Sequence, residues 1–189
     1  MRQWRAKNAI LGVMDWLTFR GADEARSDRE APPSVTEILP ELLIGEYPRP
    51  QDVGWLKQVH GVTAVLNLQD DEDLKVKGLD VKSLAAAYEH HGVTMVRLPI
   101  PDASADHLER ALDSAVLRLH GLIESGQRVY LHCNAGLNRA PTVAIAFIHV
   151  HRTMDLSAAT ALVRKRRSCA PFTIMLQEFF ARRALGRRA

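Results

Sequence analysis

Apolar positions recur along this chain in two rhythms, and their alternation predicts the order of elements. Ile10, Val13, Met14 and Leu17 repeat at helical spacing, with Trp16 and Phe19 widening the stripe, so residues 4–19 read as an amphipathic helix. The next segment, GADEARSDREAPPS, is charged, proline-containing and aperiodic, which marks it as a linker. Residues 1–34 are therefore expected to form a helix and linker ahead of a main domain, 35–189. In that domain EILPELLIG reads as a strand pair or strand and turn, QDVGWLKQVHG as a helix and VTAVLNLQ as a buried strand. DVKSLAAAYEHHG is helical with a glycine stop, and VTMVRLPI is a strand. A long helix follows from Ala105, with apolar positions at 108, 112, 115, 116, 119 and 122. RVYLHC is the next strand, NRAPTVAIAFIHVHR a helix apolar on most sides, and DLSAATALVRKRR and FTIMLQEFFARRAL two further helices. Strands separated by helices predict an α/β fold, a central and mainly parallel sheet flanked by helices.

Composition narrows the picture. The chain has 189 residues, 47% of them hydrophobic, which suits one domain with a sizeable core and a short extension. Twenty-five basic residues against 22 acidic give a formal charge of +3, too mild an excess to imply nucleic acid but compatible with an anionic substrate. Cys133 and Cys169 are the two cysteines, and neither belongs to a CxxC or Cys/His cluster, so neither a disulfide framework nor a metal site is expected. A cytoplasmic or other reducing compartment follows. The first 19 residues carry basic positions before an apolar stretch, but Asn8 and Asp15 interrupt it and no small-residue cleavage site follows, so secretion is not expected. A weak membrane or partner contact is the alternative use of residues 4–19.

One loop brings in chemistry. In YLHCNAGLNRAP a strand delivers Cys133, a short turn containing Gly136 follows, and an apolar helix starts near Arg139 with Pro141 in its first turn. Backbone N–H groups wrapped around one point at a helix N-terminus make an anion site suited to a phosphate dianion. Such a position also favours the thiolate form of a cysteine. Cys133 is then the candidate nucleophile, and Arg139, a planar fork, the candidate grip on two phosphate oxygens. Asn134, Ala135, Gly136, Leu137, Asn138 and Arg139 become the substrate-binding loop.

HCNAGLNRAP resembles the HCxxGxxR loop of the cysteine-based tyrosine and dual-specificity phosphatases. It is most similar to the glucan phosphatases, laforin and the plant starch-excess type, in its Asn-Ala-Gly, in Arg-Ala-Pro and in RKRRSCAP. Similarity in GVTAVLNLQDDEDL and RLPIPDAS extends the resemblance over roughly residues 36–180. It implies the phosphatase fold and phosphomonoester hydrolysis through a cysteinyl-phosphate, without metal or other cofactor. The implied substrate is a phosphorylated glucan, with a phosphoprotein, or non-catalytic phosphate binding, as the alternative. It also implies a general acid at Asp102 of PIPDAS, with Asp106 the rival, and a supporting role for His132 in bracing the loop.

Two positions depart from the pattern. Ala140 stands where many relatives carry a Ser or Thr hydroxyl after the arginine, and Asn138 where glycine is common; asparagine tolerates left-handed backbone angles. The neutral side chains at 134, 135, 137 and 138 fit one phosphate on a neutral carrier better than a polyphosphate. Tyr47, Trp55, Tyr88 and Phe172 are candidates for stacking on sugar. The basic run RKRR reads as a solvated helix end, and Cys169 as a loop or packing residue with a redox partnership to Cys133 as the sharper alternative.

Overall fold

The computed structural model describes residues 31–186. The expected helix over 4–19 lies outside the described residues. A compact unit runs on from Pro32. Its first strands, β1 (Val35–Leu39) and β2 (Leu42–Gly45), form an antiparallel pair around Pro40 and Glu41. Then come α1 (Val53–His60), β3 (Ala64–Asn67), α2 (Asp71–Val76), α3 (Val81–His90) and β4 (Thr94–Arg97). The chain continues through α4 (Ala105–Glu124), β5 (Val129–His132), α5 (Arg139–His151), α6 (Leu156–Arg166) and α7 (Thr173–Gly186).

The five strands lie in the order β1-β2-β5-β3-β4. β2, β5, β3 and β4 are mutually parallel, and β1 alone is antiparallel to its neighbour. This is the expected mainly parallel sheet with helices on both faces. Strand alternation divides the core in two, because successive side chains point to opposite faces. Leu42, Ile44, Ala64, Leu66, Val129 and Leu131 point to the larger core with the apolar faces of α4 and α5. Leu43, Val65 and Tyr130 point the other way, onto Leu56 of α1 and Leu84 and Tyr88 of α3.

Local chemistry sets the helix ends. Gly61 closes α1 in the left-handed region at φ 65°, where glycine carries no steric penalty. Asp80, Ser104 and Asp155 cap α3, α4 and α6 by accepting from the amides of Ser83, His107 and Ala158. The short α2 was not expected from periodicity. It is fixed by a reciprocal capping box in which the Asp70 and Asp73 carboxylates each accept from the other's amide. α5 is the exception that matters for function, for Asn138 precedes it without a side-chain cap. Its first-turn amides are left to the loop before it.

Four parallel strands align their C-terminal ends on one edge, the edge where ligands bind in open α/β sheets. β5 is central in the sheet, so Cys133, the residue after it, emerges in the middle of that edge.

Candidate active site

Every carbonyl of the loop from Cys133 to Asn138 is accounted for. His132 Nδ1 lies 3.1 Å from the Cys133 carbonyl oxygen, and the Tyr47 amide donates to Asn134 O at 2.9 Å. Arg167 donates to Ala135 O from Nη2 at 2.9 Å and to Gly136 O from Nε at 2.8 Å. The Ala170 amide donates to Leu137 O at 2.9 Å, and both the amide and the hydroxyl of Thr142 reach Asn138 O. In a planar trans peptide the C=O of one residue and the N–H of the next point in opposite directions. Six carbonyls turned outward therefore turn the amides of Asn134 to Arg139 inward. Among the described residues those amides donate to no other group. Amides turned toward one side of a loop in this way are the arrangement that an anion would need.

Gly136 is required here. Its φ is 65°, and a Cβ would stand 2.5 Å from Gly45 O and 2.8 Å from Arg167 Nη2. Asn138, by contrast, has φ −115°, so no left-handed angle is asked of it. Its side chain is committed to protein, donating to Ala170 O at 2.7 Å. Leu137 is half-buried on the rim, and Ala135 is buried.

Cys133 is 3% exposed at the floor of the loop. Arg139 is 1% exposed and held from one side: Nη1 donates to Asp73 Oδ2 at 2.6 Å and to Ile100 O at 2.7 Å. Among the described residues its Nε has no hydrogen-bond partner, while Nη2 lies 2.9 Å from Asp102 Oδ2. The Nε–Nη2 edge is the one with which a guanidinium binds a phosphate bidentately. Burial opposes the charge on Arg139, but Cys133, Asp102 and Asp73 outweigh it and hold the guanidinium above its ordinary pKa.

Asp102 is in the β4–α4 loop with its carboxylate partly exposed, accepting from the Ala103 amide and from Asn134 Nδ2 at 3.0 Å. Asp106 sits exposed in the first turn of α4. The geometry thus brings Asp102, and not Asp106, onto Arg139. Asn134 turns its side chain into this network, accepting from Gln69 Nε2 at 2.9 Å and donating to Asp73 Oδ1 at 2.6 Å. His132 is buried, and burial pushes its pKa down to about 4; the bond to the Cys133 carbonyl opposes that and Arg139 adds to it. The ring is neutral at pH 7, with the proton on Nδ1 as the carbonyl partner requires. Among the described residues no group of three or more His, Cys, Asp or Glu side chains is arranged to hold a metal ion.

A model of the dual specificity phosphatase catalytic domain matches residues 44–180. The chain belongs to the dual-specificity phosphatase family. It is 31% identical over 125 residues to laforin from Mus musculus, covering 60% of this chain and 38% of that protein. An amyloplastic phosphoglucan phosphatase from Castanea sativa is 33% identical over 137 residues, covering 71% of this chain and 36% of the relative. The chain spans little more than a third of the length of these two relatives. Among solved structures, the active form of Tk-PTP superposes with TM-score 0.65 at 25% identity, covering 79% of this chain and 95% of that one. The human tyrosine phosphatase-like serine/threonine/tyrosine-interacting protein gives 0.63 at 27%, covering 78% and 95%.

The phosphatase domain also holds residues that the sequence reading misplaced or passed over. Arg167 was expected to be solvated with the rest of RKRR. α6 ends at Arg166, however, and the extended backbone of Arg167 (φ −133°, ψ 130°) swings its side chain under the loop, where it is 7% exposed. Gln69 closes the segment read as a buried strand and Asp73 lies in the acidic run after it, and neither is assigned a role by the sequence; an aspartate at the third position of α2, matching Asp70 in a capping box, is the available signal. Two of the four sugar-stacking candidates are core residues: Tyr88 is 1% exposed beneath α3, and Tyr47 is 3% exposed, with Lys77 over its ring. Trp55 packs edge-on against His60, and Phe172 is partly buried against the larger core, its amide donating to Thr142 Oγ1 in α5. Cys133 and Cys169 are both free thiols, and burial pushes the Cys169 thiol's pKa up.

Proposed function

We propose that this domain hydrolyses phosphomonoesters through a cysteinyl-phosphate, with phosphorylated glucan as its substrate. The observation that carries the reading is the outward turn of six consecutive loop carbonyls around Cys133, which aims six amides at one point beside Arg139, whose Nε is unpaired among the described residues and whose Nη2 faces Asp102. A phosphate dianion there meets donors that need no reorganisation.

In the first step the Cys133 thiolate attacks phosphorus, the S–P bond forms, and the P–O bond to the carrier breaks. Asp102, as the carboxylic acid, gives its proton to the departing oxygen. In the second step Asp102, now a carboxylate, takes a proton from the attacking water; the new P–O bond forms, the S–P bond breaks, and thiolate and inorganic phosphate are released. Arg139 and the loop amides hold the equatorial oxygens throughout. His132, neutral and bonded to the Cys133 carbonyl, fixes the nucleophile's peptide. Ala140 offers no hydroxyl to the departing thiolate, so the second step rests on Asp102 and the loop.

Glucan is favoured by the similarity to laforin and the Castanea sativa phosphoglucan phosphatase and by a loop without charged side chains between Cys133 and Arg139. A specific observation favours phosphoprotein instead: human dual specificity protein phosphatase 2 is 29% identical over 154 residues, 78% of this chain. Phosphate release from solubilised phosphoglucan, phosphotyrosine peptide, phosphothreonine peptide and phosphoinositide, at matched phosphoryl concentration, decides between them. Cys133-dependent release from glucan at a rate equal to or above that from the peptides is expected. Peptide hydrolysis faster by orders of magnitude would make this a protein phosphatase.

A further inference from the structure

We infer that Arg167, which lies 28 residues beyond Arg139, is a positioning residue for the phosphate loop: it sets the direction of the Gly136 and Leu137 amides. The inference rests on the phosphatase reading and adds a determinant that the loop motif does not contain.

Each guanidinium edge of Arg167 has a task. Nε and Nη2, the side-on edge, donate to Gly136 O at 2.8 Å and to Ala135 O at 2.9 Å. Nη1 turns away from the loop toward β1, lying 3.1 Å from Thr36 Oγ1 and 3.4 Å from both Ser34 O and Ser34 Oγ. The other four outward carbonyls are held by backbone amides, by Thr142 or by the neighbouring His132. Ala135 O and Gly136 O depend on one side chain. They belong to the peptides flanking Gly136, the residue with the least intrinsic restraint on its backbone. If either peptide flipped, a carbonyl oxygen would face the dianion in place of an amide.

A cation fits this place for a second reason. Two carbonyl dipoles converge on one buried spot, and a neutral donor there would leave their negative ends poorly compensated. The planar fork meets both oxygens at once while its remaining nitrogen is anchored on β1. The close packing at Gly136, where a Cβ would stand 2.8 Å from Arg167 Nη2, shows how little slack the contact has.

The test uses the whole chain with Arg167→Met, which keeps an unbranched stem and removes every donor, Arg167→Lys, which keeps the charge, and Thr36→Val, which loosens the outer anchor only. The measurements are the inhibition constant of inorganic phosphate, kcat and KM on p-nitrophenyl phosphate, and the melting temperature. Arg167→Met is expected to weaken phosphate inhibition by about 10- to 100-fold, the range for lost charge-assisted hydrogen bonds, and to raise KM. Lysine, which keeps the charge but not the fork, should restore only part of that loss. Thr36→Val should shift phosphate inhibition in the same direction by a smaller factor, and it keeps the inference testable should the methionine variant not fold. A purely structural arginine would lower the melting temperature while the folded fraction kept wild-type phosphate affinity; that outcome, in every variant that folds, overturns the inference. A wild-type protein that hydrolyses no phosphomonoester removes the phosphatase reading and this inference with it, whereas an active wild type with indifferent variants removes the inference alone.

Discussion

Asp73 Oδ2 stands 2.6 Å from Arg139 Nη1, with the two side chains 8% and 1% exposed. A guanidinium buried without a partner would be strongly disfavoured, and a carboxylate on Nη1 resolves that while turning the Nε–Nη2 edge toward the loop and Asp102. Asp73 is itself immobilised, since its Oδ1 accepts from Asn134 Nδ2 and its Oδ2 also accepts from the Asp70 amide. The short helix α2 thus orients the arginine across the sheet edge, and Asn134 ties that brace to Asp102.

Replacing Asp73 by Asn keeps the shape and one acceptor but removes the charge. The kcat/KM for an aryl phosphate is expected to fall about 10- to 100-fold, the weight of one charge-assisted hydrogen bond. Asp73→Ala leaves Arg139 buried and half-paired, and urea denaturation should show a loss of about 3–5 kcal/mol. Wild-type kinetics in Asp73→Asn would mean that the charge of Asp73 is not needed to orient the arginine.

Cys133→Ser tests the nucleophile apart from the loop. The anion site is built from backbone and Arg139, so inorganic phosphate binding by calorimetry should persist while turnover disappears. Retained turnover would assign the nucleophile elsewhere, and lost binding with the fold intact would show that the thiol holds the loop together.

Asp102 and Asp106 separate on leaving groups. Asp102→Ala is expected to slow hydrolysis of sugar or alkyl phosphates by ~10²- to 10⁴-fold, and that of p-nitrophenyl phosphate much less, since nitrophenolate leaves without a proton. Asp106→Ala, on an exposed first turn, should leave both rates near wild type. Because Asp102 Oδ2 lies 2.9 Å from Arg139 Nη2, its removal should also tighten phosphate inhibition. Equal kinetic losses at the two positions would dismiss the assignment.

Much of this site was legible in the chain because its signals are local. The strand ending before Cys133, the glycine between cysteine and arginine and the helix from Arg139 are neighbours in sequence, and a short apolar run followed by an apolar helical run places them. What escaped depends on contacts between distant segments. Asp73 differs from Asp70, Asp71 and Glu72 only in which way a six-residue helix turns it. Arg167 differs from the three basic residues before it only because the helix stops one residue earlier. Tyr88 reads like any aromatic on an amphipathic helix until α3 is laid against the sheet, where its hydroxyl ends up buried without a hydrogen-bond partner among the described residues.

His132 gives the protein a pH-dependent stability with a definite sign. Burial lowers its pKa in the folded state to about 4, against 6.5 as its ordinary value. Between those values the unfolded chain binds a proton that the folded chain refuses, so stability rises with pH through this window and is lost as pH falls from about 6.5 toward 4. Above the window both states are neutral and the contribution is complete. The ceiling is about 3 kcal/mol, from 1.36 kcal/mol per pKa unit. His60 and His151, also lowered chiefly by burial, act in the same direction. His132→Asn offers an uncharged amide in place of the ring, so its urea midpoint should fall less than that of wild type between pH 7 and pH 5. An identical pH dependence in the two proteins would show that the buried imidazole does not govern the acid limb.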